Sequence, residues 1–179
     1  MPTTRKLLNR KDILRALERL SEILEARGVK ADLYVVGGAA MTLAYRARPS
    51  TRDVDAIFKR KNEVYKAAAQ VAREQTLPDE WLNDGAKKFL GRPDRRPRPI
   101  LDLPGVRIMA GSPEYLLAMK VLADRHDRDR EDLRFLVRLL GLKSVTQAER
   151  LFSEVYPNGA IPKDTRARLA ELIAQEAVG

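Results

Sequence analysis

The sequence predicts an α/β (α+β) fold, in which a small mixed β-sheet flanked by helices is followed by a helical lobe. Three observations support this fold class. Up to residue 110, short apolar runs typical of strands alternate with helical patterns. After residue 110 the only periodicity is helical. A Pro104-Gly105 turn separates the last two apolar runs. The predicted boundary divides residues 1–110, the α/β core, from residues 111–179, the helical lobe. One compact domain is the alternative.

The α/β core is predicted to begin with a helix over residues 12–26, because apolar side chains recur there at helical spacing and Gly28 follows as a cap. A buried strand is predicted over 31–36 and a second strand over 53–58, on either side of a short helix over 39–45. The other predicted elements are a helix over 61–74, a turn and short helix over 77–90, and strands over 100–103 and 106–110.

Four helices are predicted in the helical lobe. The first runs from Ser112 to Asp124, because Ser112 is a typical N-cap residue and Pro113 suits the first helical position. The others cover residues 129–140, the residues that follow Ser144, and residues 164–177.

The composition narrows the possible chemistry. A formal charge of +9 favours a polyanionic partner such as nucleic acid, the alternative being a well-solvated surface. The absence of cysteine excludes disulfides and thiol catalysis, and a single histidine excludes His-cluster metal sites. We find no apolar run of about 18 residues and no signal peptide, and therefore predict a cytoplasmic protein without membrane contact.

A basic segment over residues 91–99 carries four arginines and three prolines. It is predicted to be an exposed loop, because proline lacks the donor that a helix or a central strand requires. Arginine binds phosphate through two parallel hydrogen bonds, so contact with an RNA backbone is predicted, a solvated loop being the alternative. The predicted nucleic-acid-binding residues are Arg92, Arg95, Arg96 and Arg98.

Two motifs carry the chemistry, Val-Val-Gly-Gly at 35–38 and Asp-Val-Asp at 53–55. Residues two apart in a strand share a face, so Asp53 and Asp55 are expected to project together. Such a pair of carboxylates is costly without a cation, and Mg²⁺ accepts oxygen ligands while leaving positions for phosphates. The two glycines let the backbone approach a phosphate closely, and the N-terminus of the following helix also favours an anion at this place. Together the motifs predict a metal and triphosphate site, although each alone is more often a simple turn.

These motifs, within VVGGAAMTL and STRDVDAI, resemble the signature of the DNA polymerase β-type nucleotidyltransferase superfamily. Within it the chain is most similar to the AbiEii/MenT-type toxin nucleotidyltransferases and their stand-alone relatives of the DUF6036 kind. Residues 81–84, 112–120 and 128–133 also resemble those relatives, and the likeness covers residues 30–140. It implies the nucleotidyltransferase fold, with the active site in a cleft between the two parts of the chain.

The resemblance also implies the residue roles. Asp53 and Asp55 are implied to hold Mg²⁺, with Mn²⁺ as a possible substitute. The implied nucleotide-binding residues are Gly37, Gly38, Thr51, Arg52, Lys120 and Asp129, and the implied catalytic residues are Asp53, Asp55, Lys120 and Asp132. Whether Asp129 or Asp132 completes the site is left open, with Asp132 slightly preferred. The alternative for Lys120 is a surface lysine paired with Asp124.

Two features depart from the superfamily pattern. The separation of Gly38 and Asp53 is slightly longer than usual. A third catalytic acid on a later strand is common in the superfamily, and Asp102 is the only acid near the predicted strands. The toxin-like relatives often lack this acid, so the identity of the general base is left open.

The resemblance implies a reaction in which an acceptor hydroxyl attacks the α-phosphate of an NTP and pyrophosphate leaves. It suggests a tRNA 3′ end as acceptor and a toxin role with a cognate antitoxin as protein partner. Three alternatives are AMPylation of a protein hydroxyl, a catalytically silent RNA-binding or antitoxin-like module, and an antibiotic nucleotidyltransferase. The positive charge argues against the last, because aminoglycosides are cations.

Overall fold

The computed structural model describes residues 6–178, apart from the side chain of His126. Residues 1–5, on which the prediction about a signal peptide partly rests, lie outside this range. The fold is mixed α/β, as predicted, and the chain forms two compact units. The first contains the described residues up to Lys88 and residues 97–110; the second contains residues 89–96 and the described residues from Gly111 onward.

The first unit is built from short strands and three helices of the described chain. In chain order, the elements up to residue 110 are β1 (Leu8–Asn9), α1 (Arg10–Ala26), β2 (Ala31–Val35), α2 (Gly37–Leu43), β3 (Ser50–Thr51), β4 (Val54–Phe58), α3 (Lys61–Gln75), β5 (Leu82–Asn83), a 3-10 helix (Gly85–Phe89), β6 (Arg98–Asp102) and β7 (Val106–Ala110). None of the helices in the described part of the chain combines the length and apolar character needed to cross a bilayer.

Five strands form a mixed sheet in the order β5-β4-β2-β7-β6, and β1 pairs separately with β3. Strand β2 runs antiparallel to β4 and parallel to β7, and β4 runs parallel to β5. Along β4 the side chains alternate, with Val54, Ala56 and Phe58 buried and the two between them half-buried. One face of β4 therefore joins the core while the other remains accessible, as period-two alternation requires.

Helix α1 begins where Asn9 and Asp12 form a reciprocal capping box, which satisfies two backbone N–H groups at the helix start. Its apolar stripe, which includes Leu17, Leu20 and Leu24, is buried and packs on α3 and β7. Helix α2 is short and mostly buried, and it lies against α1, β3 and β4. These contacts fix the ends of β2 and β4, where the diglycine and the two acids occur.

Helices make up the second unit: α4 (Pro113–Ala123), α5 (His126–Leu139), α6 (Val145–Val155) and α7 (Lys163–Val178). Ser112 caps α4 by accepting a hydrogen bond from the Tyr115 N–H at 3.2 Å. The segment of residues 89–96 belongs here because Asp94 accepts hydrogen bonds from both the N–H and the hydroxyl of Ser112, at 2.7 and 2.8 Å.

The structure corrects several element boundaries. Arg98 and Pro99 lie in β6 rather than in the predicted loop, which proline permits because β6 is an edge strand. Strand β4 starts at Val54, so Asp53 immediately precedes the strand. Helix α5 starts at His126 rather than at residue 129. The strands β1, β3 and β5 were not predicted, because two residues are too few to show a periodicity.

Candidate active site

The diglycine forms the junction between β2 and α2. Gly37 has φ +61°, a left-handed conformation that glycine adopts without the steric cost paid by other residues. Just before it, the Val36 N–H donates to the Asp55 carbonyl at 2.9 Å. The turn into α2 is thereby held beside the start of β4.

The side chain of Asp55 lies against Gly37. A β-carbon placed on Gly37 would come within 3.3 Å of Asp55 Oδ2, tighter than an ordinary van der Waals contact. Only glycine at this position leaves the carboxylate where it is. The structure thus brings together two of the residues that the resemblance implies in metal and triphosphate binding.

Gly38 is equally constrained, by different partners. A β-carbon there would lie 2.6 Å from an Arg48 guanidinium nitrogen (Nη1) and 2.7 Å from Thr51 Oγ1. Thr51 is buried, and its hydroxyl donates to the Asp53 carbonyl at 3.2 Å. Thr51 therefore joins the diglycine to the bend that precedes β4, and Arg48 is a nearby residue that the sequence analysis did not single out.

Asp53 and Arg52 occupy the bend between β3 and β4. Asp53 is half-buried and Arg52 is exposed. Since Asp55 is also half-buried, both acids retain access to solvent, as ligands of an ion that also binds a substrate must.

Asn83 is a candidate that the sequence analysis missed. Strands β4 and β5 are parallel, and Asp55 is the register partner of Asn83. Register partners in a sheet present their side chains on the same face, so Asn83 neighbours Asp55 there. Its Oδ1 accepts a hydrogen bond from the Gly85 N–H at 3.0 Å, which orients the amide. Residues 81–84 are part of the family resemblance, but the sequence predicts a turn and short helix there, which gives Asn83 no position beside Asp55.

Asp84, the next residue, is hydrogen-bonded to neighbouring side chains. It accepts hydrogen bonds from Lys61 and, at 2.7 Å, from Tyr65, and these bonds hold the pKa of Asp84 well below its usual range. Asp102 lies elsewhere, on β6 at the opposite edge of the sheet from β5. It is exposed and pairs with Lys30 at 2.6 Å, which lowers the pKa of Asp102.

Lys120, Asp129 and Asp132 form a buried ionic cluster in the second unit. Lys120 Nζ lies 2.8 Å from Asp129 Oδ1 and 2.7 Å from Asp132 Oδ2. The lysine is only 7% exposed, so the alternative of a surface lysine is wrong. Both acids contact the same ammonium group, and Asp124 instead binds Arg168 at 2.7 Å. The phosphate contact of Lys120 stays a prediction.

The four arginines of the basic segment are all exposed. Arg92, Arg95 and Arg96 belong to the second unit, whereas Arg98 belongs to the first and stacks 5.2 Å from the centre of the Tyr45 ring. Their role in nucleic-acid binding stays a prediction.

The donor set at Asp53 and Asp55 fits a hard divalent cation. Among residues 6–178, side chain of His126 excepted, no group of three or more His, Cys, Asp or Glu side chains is arranged to hold a metal ion. Mg²⁺ does not need such a cage, because it commonly binds through one or two carboxylates and completes its shell with water and substrate phosphates. Asp55 lies against Gly37, and the half-buried Asp53 two residues earlier supplies a second carboxylate.

Comparison with known proteins identifies one family. A family model described as a nucleotidyltransferase of unknown function (DUF6036) matches residues 11–152, which include both motifs and the buried ionic cluster. No curated protein and no solved structure gives a significant match.

Proposed function

The chain belongs to the nucleotidyltransferase family DUF6036, and from this premise we propose that it transfers a nucleoside monophosphate from an NTP to a hydroxyl group in a Mg²⁺-dependent reaction. Asp53 and Asp55 would hold the ion, with Mn²⁺ as a possible substitute. Gly37, Gly38 and Thr51 would line the phosphate side of the site.

The contact between Asp55 and Gly37 carries this proposal. It places a carboxylate that can bind a cation directly against the backbone of the diglycine. A cation on the carboxylate and a phosphate at the glycine backbone would then be neighbours, which is the arrangement that nucleotidyl transfer requires.

The reaction forms a bond between the acceptor oxygen and the α-phosphorus, and it breaks the bond from that phosphorus to the bridging oxygen of the β-phosphate. Pyrophosphate leaves with the bonding electron pair, and the acceptor proton passes to a base or to water. A bound Mg²⁺ supplies charge stabilisation on the phosphate oxygens. Asp53 and Asp55 would hold that charge, and the backbone amides of Gly37 and Gly38 would face the phosphates.

A tRNA 3′ end is the acceptor that we propose. The net charge of +9 supports a nucleic-acid substrate, and the exposed arginines of the basic segment offer phosphate contacts. Modification of tRNA ends would stop translation, so a toxin role in the cytoplasm, restrained by an antitoxin protein, follows from this choice. The resemblance of the two sequence motifs to those of AbiEii/MenT-type toxins is the second support for this role.

Labelled nucleotides test the proposal. The full chain is incubated with each α-labelled NTP, Mg²⁺ and either total tRNA or total protein, and the variant D55N serves as control. Label on tRNA, lost in D55N and without Mg²⁺, is the expected result. Label on protein alone would replace the tRNA acceptor by a protein hydroxyl, and no label in either fraction would overturn both acceptors.

A further inference from the structure

A pocket of about 470 Å³ lies at the end of α2, within the first unit. It is formed by the start of α1, the last turn of α2 and the loop that follows. Its lining residues are Arg10, Thr42, Arg46, Ala47, Arg48 and Pro49. Three of the six are arginines and none is acidic, so the pocket suits an anion.

The backbone fixes two of these arginines at the pocket. Arg10 Nε donates to the Leu43 carbonyl at 3.2 Å, which anchors its guanidinium at the end of α2. Arg46 has φ +51°, a conformation that a non-glycine residue adopts only at a steric cost. Residues held in such conformations cluster at functional sites, where the surrounding structure maintains them.

Thr42 adds a hydroxyl group that is not hydrogen-bonded within the described part of the protein. The residue is 1% exposed, and its buried Oγ1 has no hydrogen-bond partner among the described residues. A buried hydroxyl without a partner is unfavourable, and valine would fill the same space without that cost. A ligand oxygen in the pocket would give the hydroxyl a partner.

Arg48 connects this pocket to the diglycine. It lines the pocket, and one of its guanidinium nitrogens lies where a β-carbon on Gly38 would clash at 2.6 Å. Gly38 adjoins Gly37, which faces the Asp55 carboxylate. Thr42 is four residues from Gly38, hence on the same face of α2 one turn along. Arg48 is thus the residue that links the pocket to the phosphate side of the candidate active site.

We propose that the pocket binds the terminal phosphates of the NTP, an inference that rests on the proposed function. Several positive charges gathered in one small pocket match the end of a triphosphate, which carries more than one negative charge. A phosphodiester of an RNA backbone carries a single charge per phosphate and would engage fewer of these arginines. The pocket therefore distinguishes a triphosphate from a monophosphate.

Calorimetry with inorganic tripolyphosphate, ATP and AMP tests this assignment on the full chain. The variants are R10A, T42V and R46N, in which asparagine suits the left-handed backbone of position 46. The matched control is R15A, which removes an exposed arginine from the same helix as Arg10 without touching the pocket. Thermal unfolding of each variant establishes that the fold is retained.

We expect R10A and R46N to weaken tripolyphosphate and ATP binding about tenfold, with AMP binding unchanged and R15A like the wild type. T42V should unfold at the same or a higher temperature and still bind tripolyphosphate more weakly, which a purely structural threonine would not show. Unchanged tripolyphosphate affinity in R46N would overturn the assignment. Binding needs no acceptor, so pocket-dependent binding without any nucleotidyl transfer would support the pocket and overturn the proposed function.

Discussion

Asn83 lies directly opposite Asp55 in the parallel pair of β4 and β5, so a carboxamide neighbours the candidate metal ligand on the same face of the sheet. At this position beside the Asp-Val-Asp motif the structure has an amide and not a third acid. Asp102, the acid that the sequence offered for that purpose, lies at the other edge of the sheet.

We therefore predict that N83A lowers the rate of nucleotidyl transfer about 10- to 100-fold, because the variant loses a polar group that positions the reacting atoms. N83D should reduce the Mg²⁺ concentration needed for half-maximal rate, since it adds a carboxylate. Steady-state rates against Mg²⁺ concentration measure both effects. The exposed Asn62 provides the control N62A, and equal rates for N83A and N62A would contradict the role.

Removal of either acid of the motif tests the metal site itself. D53N and D55N should each abolish transfer, since the cation loses a charged ligand. Both side chains are half-buried rather than in the core, so the free energy of unfolding should change by no more than about 1 kcal/mol. Transfer assays and denaturant unfolding check the two statements. Full activity in either variant would place the metal elsewhere.

The glycine at position 37 can be tested against a matched glycine elsewhere. Gly37 and Gly28 both have positive φ, +61° and +67°, but only Gly37 has a side chain in the way. G37A and G28A should each lose about 1–2 kcal/mol of stability from backbone strain. Only G37A should also lose transfer activity, because its methyl group displaces the Asp55 carboxylate. Equal activity in the two variants would show that the contact does not matter for transfer.

The buried cluster around Lys120 predicts a large effect on stability. K120M removes the ammonium group that both buried carboxylates share, leaves Asp129 with Arg125 at 3.6 Å, and should cost about 3–5 kcal/mol of unfolding free energy. The exposed Lys143 gives the control K143M, for which no such loss is expected. Adding D132N to K120M should recover part of the stability, as chemical denaturation would show.

The same double variant tests the predicted phosphate contact of Lys120. If Lys120 binds the nucleotide, stability returns in K120M/D132N while ATP affinity stays low. Wild-type ATP affinity in this variant would argue that Lys120 only stabilises the helices.

The elements with a clear periodicity were predictable from the sequence. Strand β7 was predicted with its observed limits, and helix α1 starts two residues earlier than predicted. The two-residue strand β5 was not predictable, so nothing in the sequence placed Asn83 beside Asp55. The order of strands in the sheet depends on long-range pairing that no local pattern encodes, so the sequence could not place Asp102 relative to the motif.

The candidate site likewise contains features that the sequence predicted and features that it could not predict. The diglycine and the Asp-Val-Asp motif were visible because their chemistry lies in adjacent residues. The arginine pocket joins residues 10 and 42–49, which only the packing of α1 on α2 brings together. The burial of Lys120 was hidden as well, because its partners lie on the next helix.

The environment of Trp81 has a practical consequence. It is the only tryptophan of the chain, it is completely buried, and its indole Nε1–H donates to the Ala68 carbonyl at 2.9 Å. Its own carbonyl accepts from Val54 N–H at the start of β4. Intrinsic fluorescence of the tryptophan therefore monitors the first unit alone. A red shift of its emission maximum would report loosening of the strands beside Asp55, and no attached dye is needed.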